Sequence, residues 1–266
     1  MPVLILLTLL ILIYLYLILP RYNHQEAWKR LSDYRYAHRG LHNELAPENT
    51  LAAFQLAIDH GYGFELDVQR TKDNILVVLH DHNLKRTCGL DKEINELTYD
   101  QIKELKVFNS DQHIPLFEEV LALVSGKVPM IIEIKQNSKD PTTCELTAKC
   151  LDNYQGSFCI ESFHPYAVKW FKDYRPEWIR GQLAADFSKD DTKSIFLSFV
   201  LENLLLNFMT RPDFVAYEVN DKDMFSFKFY RKILKGGSVL WTIRDPHTYQ
   251  SVKDQHDTVI FENFII

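Results

Sequence analysis

The chain has 266 residues, with 30 Lys and Arg against 36 Asp and Glu, a formal net charge of −6. That balance argues against a general nucleic-acid binder, whose surface would be basic. The four cysteines, Cys88, Cys144, Cys150 and Cys159, form no C-x-x-C pair, which argues against a zinc cage and slightly favours a reducing compartment. The first element is an uncharged run from Val3 to Leu19. As a helix it spans about 25 Å, slightly short of a hydrocarbon core of roughly 30 Å. No basic residues precede it and no small-residue cleavage site follows. A retained transmembrane anchor over residues 1–20 is therefore expected, ahead of a cleaved signal or a buried core helix. Arg21, Lys29 and Arg30 follow the span. The positive-inside tendency then predicts a single-pass protein of the cell membrane with the rest of the chain on the cytoplasmic side.

Residues 21–33 are polar without a steady period and read as a juxtamembrane linker. From 34 to 266, short β-rich runs alternate with helical patterns, the signature of βα units around a parallel sheet. The candidate strands are Tyr36–His38, Tyr62–Val68, Met130–Lys135, Phe158–Ser162, Ile179–Leu183, Phe214–Tyr217, Val239–Ile243 and Val259–Glu262. Their number matches an α/β fold of the (β/α)8 TIM-barrel type. Helical stretches lie between most of them, such as Leu51–His60, which follows Asn49 or Thr50 as N-cap and ends at Gly61. One segment breaks the alternation. Only residues 68–79 separate Asp67 from His80, too few for a helical crossover. This stretch reads as a hairpin with a two-residue turn at Asp73-Asn74, a register that pairs Asp67 with His80 and Glu65 with His82. A small insertion with one helix is expected at about residues 83–114.

Several groups on these elements can carry chemistry. His38-Arg39-Gly40 ends the first strand, where a barrel places its active site. His38 is a proton donor or acceptor near neutral pH, Arg39 a planar fork for phosphate, and Gly40 permits a sharp turn. Glu65 and Asp67 lie two apart on a strand and share one face. Either they form a solvated edge, or they lie close together and need a hard divalent cation between them. His80, after the apolar run Ile75–Leu79, is a second acid–base candidate. Glu133 and Lys135 share a face of an otherwise apolar strand, either as a structural ion pair or as a third carboxylate beside a phosphate-holding lysine. Trp241 is either core or the apolar wall of a cleft.

These motifs recur together in a known order: His38-Arg39-Gly40, Pro47-Glu48-Asn49-Thr50, Glu65-Leu66-Asp67-Val68, Thr71-Lys72-Asp73, His80-Asp81 with Leu84, Arg86 and Thr87, Ile132-Glu133-Ile134-Lys135, and Trp241-Thr242. Over about residues 35–263 the chain resembles the glycerophosphodiester phosphodiesterase family. The resemblance implies a metal-dependent hydrolase that cleaves glycerophosphodiesters to glycerol 3-phosphate and an alcohol. It also implies catalytic histidines at His38 and His80, a Mg²⁺ or Ca²⁺ held by Glu65, Asp67 and Glu133, and phosphate contacts from Arg39 and Lys135. Phe163, Tyr217 and Trp241 resemble cleft-lining positions. A related lysophospholipase D activity on single-chain lipids at the membrane is the alternative, and a catalytically silent binding module a third. The C-terminal part departs from the family pattern, with Trp241-Thr242-Ile243-Arg244 where Trp-Thr-Val-Asn is usual and Phe261-Glu262-Asn263 in place of a final Thr-Asp.

Overall fold

The computed structural model describes residues 1–136, 138–188 and 193–266. The strands are β1 Tyr36–Ala37, β2 Gly63–Arg70, β3 Leu76–Val78, β4 Met130–Ile134, β5 Phe158–Ser162, β6 Arg180–Ala184, β7 Phe214–Glu218, β8 Gly237–Ile243 and β9 Thr258–Phe261. β3 pairs antiparallel with β2. The other eight are parallel neighbours in chain order, and β1 pairs with both β2 and β9, so the sheet closes into a TIM barrel. Each strand expected from the sequence is present, within a residue or two at its ends.

Alternation along the strands sorts the side chains into two layers. Phe64, Leu66, Val68, Met130, Ile132, Ile160, Val215 and Leu240 point outward and pack under the surrounding helices. Tyr36, Ile131, Cys159, Phe214, Ala216, Val239 and Ile260 point inward and fill the lower barrel. The same inward positions change character at the C-terminal strand ends, where His38, Glu65, Asp67, Glu133, Glu161 and Glu262 replace the apolar residues. Those few positions are where the barrel exchanges packing for chemistry.

The helix Gln25–Ser32 occupies the stretch expected as a linker and closes the barrel's N-terminal end. Trp28 stacks on Phe214 at 4.4 Å between ring centroids and donates its indole N–H to Asp257 at 3.0 Å. The approach needs a glycine, because a Cβ on Gly237 would lie 2.6 Å from the Trp28 Nε1 atom. Just before this helix, Arg21 forks onto both carboxylate oxygens of Asp213, with Nε donating to Oδ1 at 2.7 Å. The Asp213 side chain is only 3% exposed. Arg21→Ala takes the guanidinium from that buried charge, leaving its Oδ2 the Arg180 backbone N–H at 2.9 Å, and should cost about 3 kcal/mol, at the lower end for breaking a buried pair. Urea unfolding measures it; a midpoint equal to that of the parent chain would show that the fork contributes nothing.

Two expectations are corrected here. The apolar N-terminal run forms the helix Pro2–Ile18, 17 residues long, but among the described residues no helix is long and apolar enough to cross a membrane. Its last turns are also engaged by the barrel: Ile18 is fully buried, and Tyr14 meets Phe229 edge-on at 6.0 Å. Arg211 donates to the carbonyls of Tyr16 and Leu19. The transmembrane anchor, and with it a membrane contact through this helix, is not supported.

The second correction concerns the hairpin, whose register is off by one residue. Val68 pairs with Val78 and Arg70 with Leu76, and the Leu79 N–H donates to the Asp67 carbonyl. Asp67 therefore faces Leu79 rather than His80. The turn includes Asp73-Asn74 but has three residues, Lys72 to Asn74, between Thr71 and Ile75, whose backbones bond at 2.9 Å. A two-residue type I′ turn needs positive φ at both central residues. Asn74 adopts it, at +63°, and Asp73 is not among the residues with positive φ. Beyond the hairpin, the excursion near residues 83–114 carries the short helices Lys85–Cys88, Ile94–Glu96 and Tyr99–Ile102. Leu84, Ile94, Ile102, Val107 and Ile114 form a small core of its own against Val77 and Leu79.

Candidate active site

The C-terminal mouth of the barrel holds a cavity of about 100 Å³ lined by His38, Arg39, Glu65, His80, Glu133, Lys135, Glu161, Phe163 and Trp241, among others. A larger cavity of about 280 Å³ lies at the opposite end, beside Arg21, Trp28 and Arg231. That one contains neither a carboxylate cluster nor paired histidines on a common wall, so chemistry rather than volume locates the site.

Neighbouring strands build its centre. Glu65 and Asp67 project from β2, and β4 sets Glu133 level with Asp67 in the parallel register. Each of the three offers a carboxylate oxygen within 4.8 Å of the others, and all three are buried. Lys135 Nζ lies 3.0 Å from Glu133 and 3.1 Å from Asp67. The Glu48-Asn49 pair braces this group from the loop after β1. Asn49 donates to Asp67 at 2.8 Å, and Glu48 accepts from Arg39 and from Arg86. Gly40 has φ +82°, and a Cβ there would lie 2.8 Å from the Ala53 backbone. Before it, Arg39 also adopts positive φ, held by its N–H to Glu65 at 3.1 Å and its carbonyl to the Asn49 N–H. Strain of this kind persists only where the surroundings over-determine the backbone.

The histidines flank the carboxylates. His38 presents Nε2 at 3.9 Å from Glu65 and Nδ1 at 2.5 Å from Glu262. His80 pairs its Nδ1 with Asp81 at 2.6 Å, and Arg86 holds Asp81 in turn. His82 bonds Gln69 instead.

A family model for glycerophosphoryl diester phosphodiesterases matches residues 38–232, which contain all of these motifs up to the last two strands. The chain belongs to the glycerophosphoryl diester phosphodiesterase family. A glycerophosphodiester phosphodiesterase of Bacillus altitudinis is 35% identical over 153 residues, covering 53% of this chain and 62% of that protein. A lysophospholipase D of Rattus norvegicus is 35% identical over 132 residues, covering 45% and 41%. The match thus spans less than two thirds of either relative. In three dimensions the chain resembles an Oleispira antarctica phosphodiesterase solved with its product sn-glycerol-3-phosphate. The TM-score is 0.72 at 23% identity, over 88% of this chain and 94% of that one, a likeness of fold.

Electrostatics in this family member follow from crowding. Burial raises the Glu65 carboxyl well above the usual range, and Asp67 and Glu133 add to it. Burial also pushes Glu133 up to about 7, with Asp67 adding and Lys135 opposing. Burial would raise Asp67 too, but Lys135, His80 and Arg39 hold it well below the usual carboxylate range. Three buried carboxylates therefore do not all ionise unaided. Asp67 Oδ1 is buried and makes no hydrogen bond, although the Lys135 ammonium lies 3.1 Å away. An all-oxygen donor set with such an open oxygen fits a hard divalent cation.

Nine of the ten residues singled out from sequence belong to this site: eight line the cavity, and Asp67 lies beneath Lys135 and Arg39. The exception is Tyr217. β7 turns Phe214 and Ala216 inward, so Tyr217 points outward, stacks on Phe227 at 4.7 Å and donates to the Glu202 carbonyl. Two functional candidates escaped the sequence reading. Glu161 on β5 sits level with Glu133 and is 1% exposed. Its Oε2 has no partner, and burial beside Glu133 and Asp67 raises its carboxyl. The signal was present, since an acid stands among Phe158, Cys159 and Ile160 with the same inward parity as Phe163. Glu262 was visible only as a departure from the family pattern.

Proposed function

We propose that this chain hydrolyses glycerophosphodiesters to glycerol 3-phosphate and an alcohol, with Mg²⁺ or Ca²⁺ at Glu65, Asp67 and Glu133. The observation that carries the reading is the convergence of those three buried carboxylates between two histidines on one small cavity. When bound, the cation supplies charge neutralisation and Lewis-acid polarisation at the phosphate. Arg39 and Lys135 present cationic groups to the phosphate oxygens and orient the diester. His38, whose pKa burial lowers, is neutral at pH 7 and takes the proton of the attacking hydroxyl through Nε2. His80, once it has bound a proton from solvent, gives it to the departing alkoxide oxygen. Phe163 and Trp241, 5.4 Å apart and edge to face, form the apolar wall beside the alcohol side of the cleft.

A second reading, cleavage of single-chain lysophospholipids, draws on the aromatic run continuing from Phe163 to Phe187 at 6.1 Å. The cavity volume of about 100 Å³ favours the small phosphodiesters. Assaying the full chain on glycerophosphocholine, glycerophosphoethanolamine and lysophosphatidylcholine with either cation tests both. Turnover of the first two above the third is expected. Activity confined to lysophosphatidylcholine would establish the second reading, and no turnover of any of them with metal bound would refute both.

A further inference from the structure

We propose that Glu262, clamped by Arg244, is a positioning residue that fixes the tautomer and ring orientation of His38; the inference rests on the two-histidine reading above. β1 and β9 are parallel neighbours with Ala37 paired to Phe261, so the next residues, His38 and Glu262, stand side by side at the mouth. The His38 N–H donates to the Phe261 carbonyl at 2.8 Å and the Glu262 N–H to the Ile243 carbonyl at 2.9 Å, which fixes both backbones. Glu262 then divides its oxygens. Oε2 lies 2.5 Å from His38 Nδ1, with His42 Nε2 at 3.7 Å, while Oε1 accepts from Arg244 Nε at 2.7 Å.

Burial would raise the Glu262 carboxyl, yet the hydrogen bond to His38, with His42 and the Arg244 charge nearby, holds it well below the usual carboxylate range. An ionised carboxylate can only accept, so His38 carries its proton on Nδ1. Its Nε2 lone pair is left facing Glu65, 3.9 Å away, where a substrate hydroxyl would sit. Without Glu262 the neutral ring could place its proton on Nε2 and present no acceptor to the site. Arg244 and Glu262, each in a segment that departs from the family pattern, touch each other.

The test uses the full chain with saturating divalent cation and glycerophosphocholine, on Glu262→Ala, Glu262→Asp, Arg244→Met and His38→Ala. Glu262→Ala should lower kcat by about 10–100-fold, the range for losing a partner that orients an active-site imidazole, with KM little changed. Glu262→Asp should recover part of the loss, and Arg244→Met should lower kcat less. NMR of ¹⁵N-histidine-labelled protein should show a protonated Nδ1 for His38, assigned by its absence in His38→Ala, and the Nε2–H tautomer in Glu262→Ala. Should Glu262→Ala fail to fold, Arg244→Met carries the same test, because the Arg244 side chain is 55% exposed. Parent kcat and an unchanged His38 tautomer in the folded variants, with His38→Ala inactive, would overturn the clamp alone. Parent turnover in His38→Ala would overturn the two-histidine reading instead.

Discussion

His38→Ala and His80→Ala should each lower kcat/KM by about 10²–10⁴-fold, the range for losing a positioned acid or base. Both imidazoles have a carboxylate on Nδ1, Glu262 for His38 and Asp81 for His80, so each has Nε2 available to the cavity. Burial lowers both pKa values, with Glu262 offsetting the shift at His38 and Asp67 at His80. Near pH 7 both rings are neutral in the free protein, so His38 can take a proton directly, whereas His80 acts as the acid only in the molecules in which it has first bound a proton from solvent. The double variant should lose far less than the product of the single losses, because two groups serving one proton transfer act as a unit. Far-UV circular dichroism and urea midpoints should barely change, since His38 and His80 line an open mouth and support no apolar core. Steady-state kinetics on glycerophosphocholine decide the matter: a single variant with parent turnover removes that histidine from the mechanism.

Loss of the cation should be as damaging as loss of either histidine, and it should leave a mark on stability that activity does not show. Asp67→Asn removes the one carboxylate of the three that stays ionised unaided, and it should cost more than the roughly 10–100-fold typical of an outer partner to a metal ligand. The pH dependence follows from the raised carboxyls. In the cation-free chain Glu133 titrates near 7 rather than at its ordinary 4.5, and Glu65 is raised as well. Between those values the folded state binds more protons than the unfolded state. The contribution to stability is therefore full below pH 4.5 and is lost as pH rises through 7. Through this linkage the urea midpoint gained on adding cation should grow from about pH 5 to about pH 8, while His38 and His80, whose lowered pKa values act in the opposite sense, contribute with and without cation. Saturating Mg²⁺ or Ca²⁺ should remove the carboxylates' part of the pH dependence, because a bound cation favours the ionised carboxylates at every pH in that window. Comparing the two profiles cancels every group remote from the site. Parallel profiles with and without cation would show that Glu65, Asp67 and Glu133 do not share an ion.

Much of this architecture could be read locally. The strands were legible because each is a short apolar run bounded by turn or helix signals, and parallel strands covered on both faces leave that pattern undisturbed. Glu65, Asp67, Glu133 and Lys135 were legible because a charge inside such a strand is costly to bury without a reason. Parity alone put Glu65 and Asp67 on one face. The same parity rule, applied to β7 with the inward face marked by Phe214, would have turned Tyr217 outward.

The hairpin, the first helix and Glu262 were decided at longer range. One residue of turn length separates two registers that look equally good in Val68–Leu79, and the φ that Asn74 accepts and Asp73 does not selected between them. Composition made Val3–Leu19 look like a span. The barrel surface that takes up Tyr14 and Ile18 is a three-dimensional fact. By itself, the sequence determined a closed parallel barrel and the acid, base and cationic groups at its mouth, because two-residue alternation and burial cost act within single strands. Only the tertiary structure decided which of those groups touch. That His38 meets Glu262, 224 residues away, and that Glu133 and Glu161 stand level depend on how β1 closes onto β9 and how β4 aligns with β5. Barrel closure is a global constraint that no local pattern encodes.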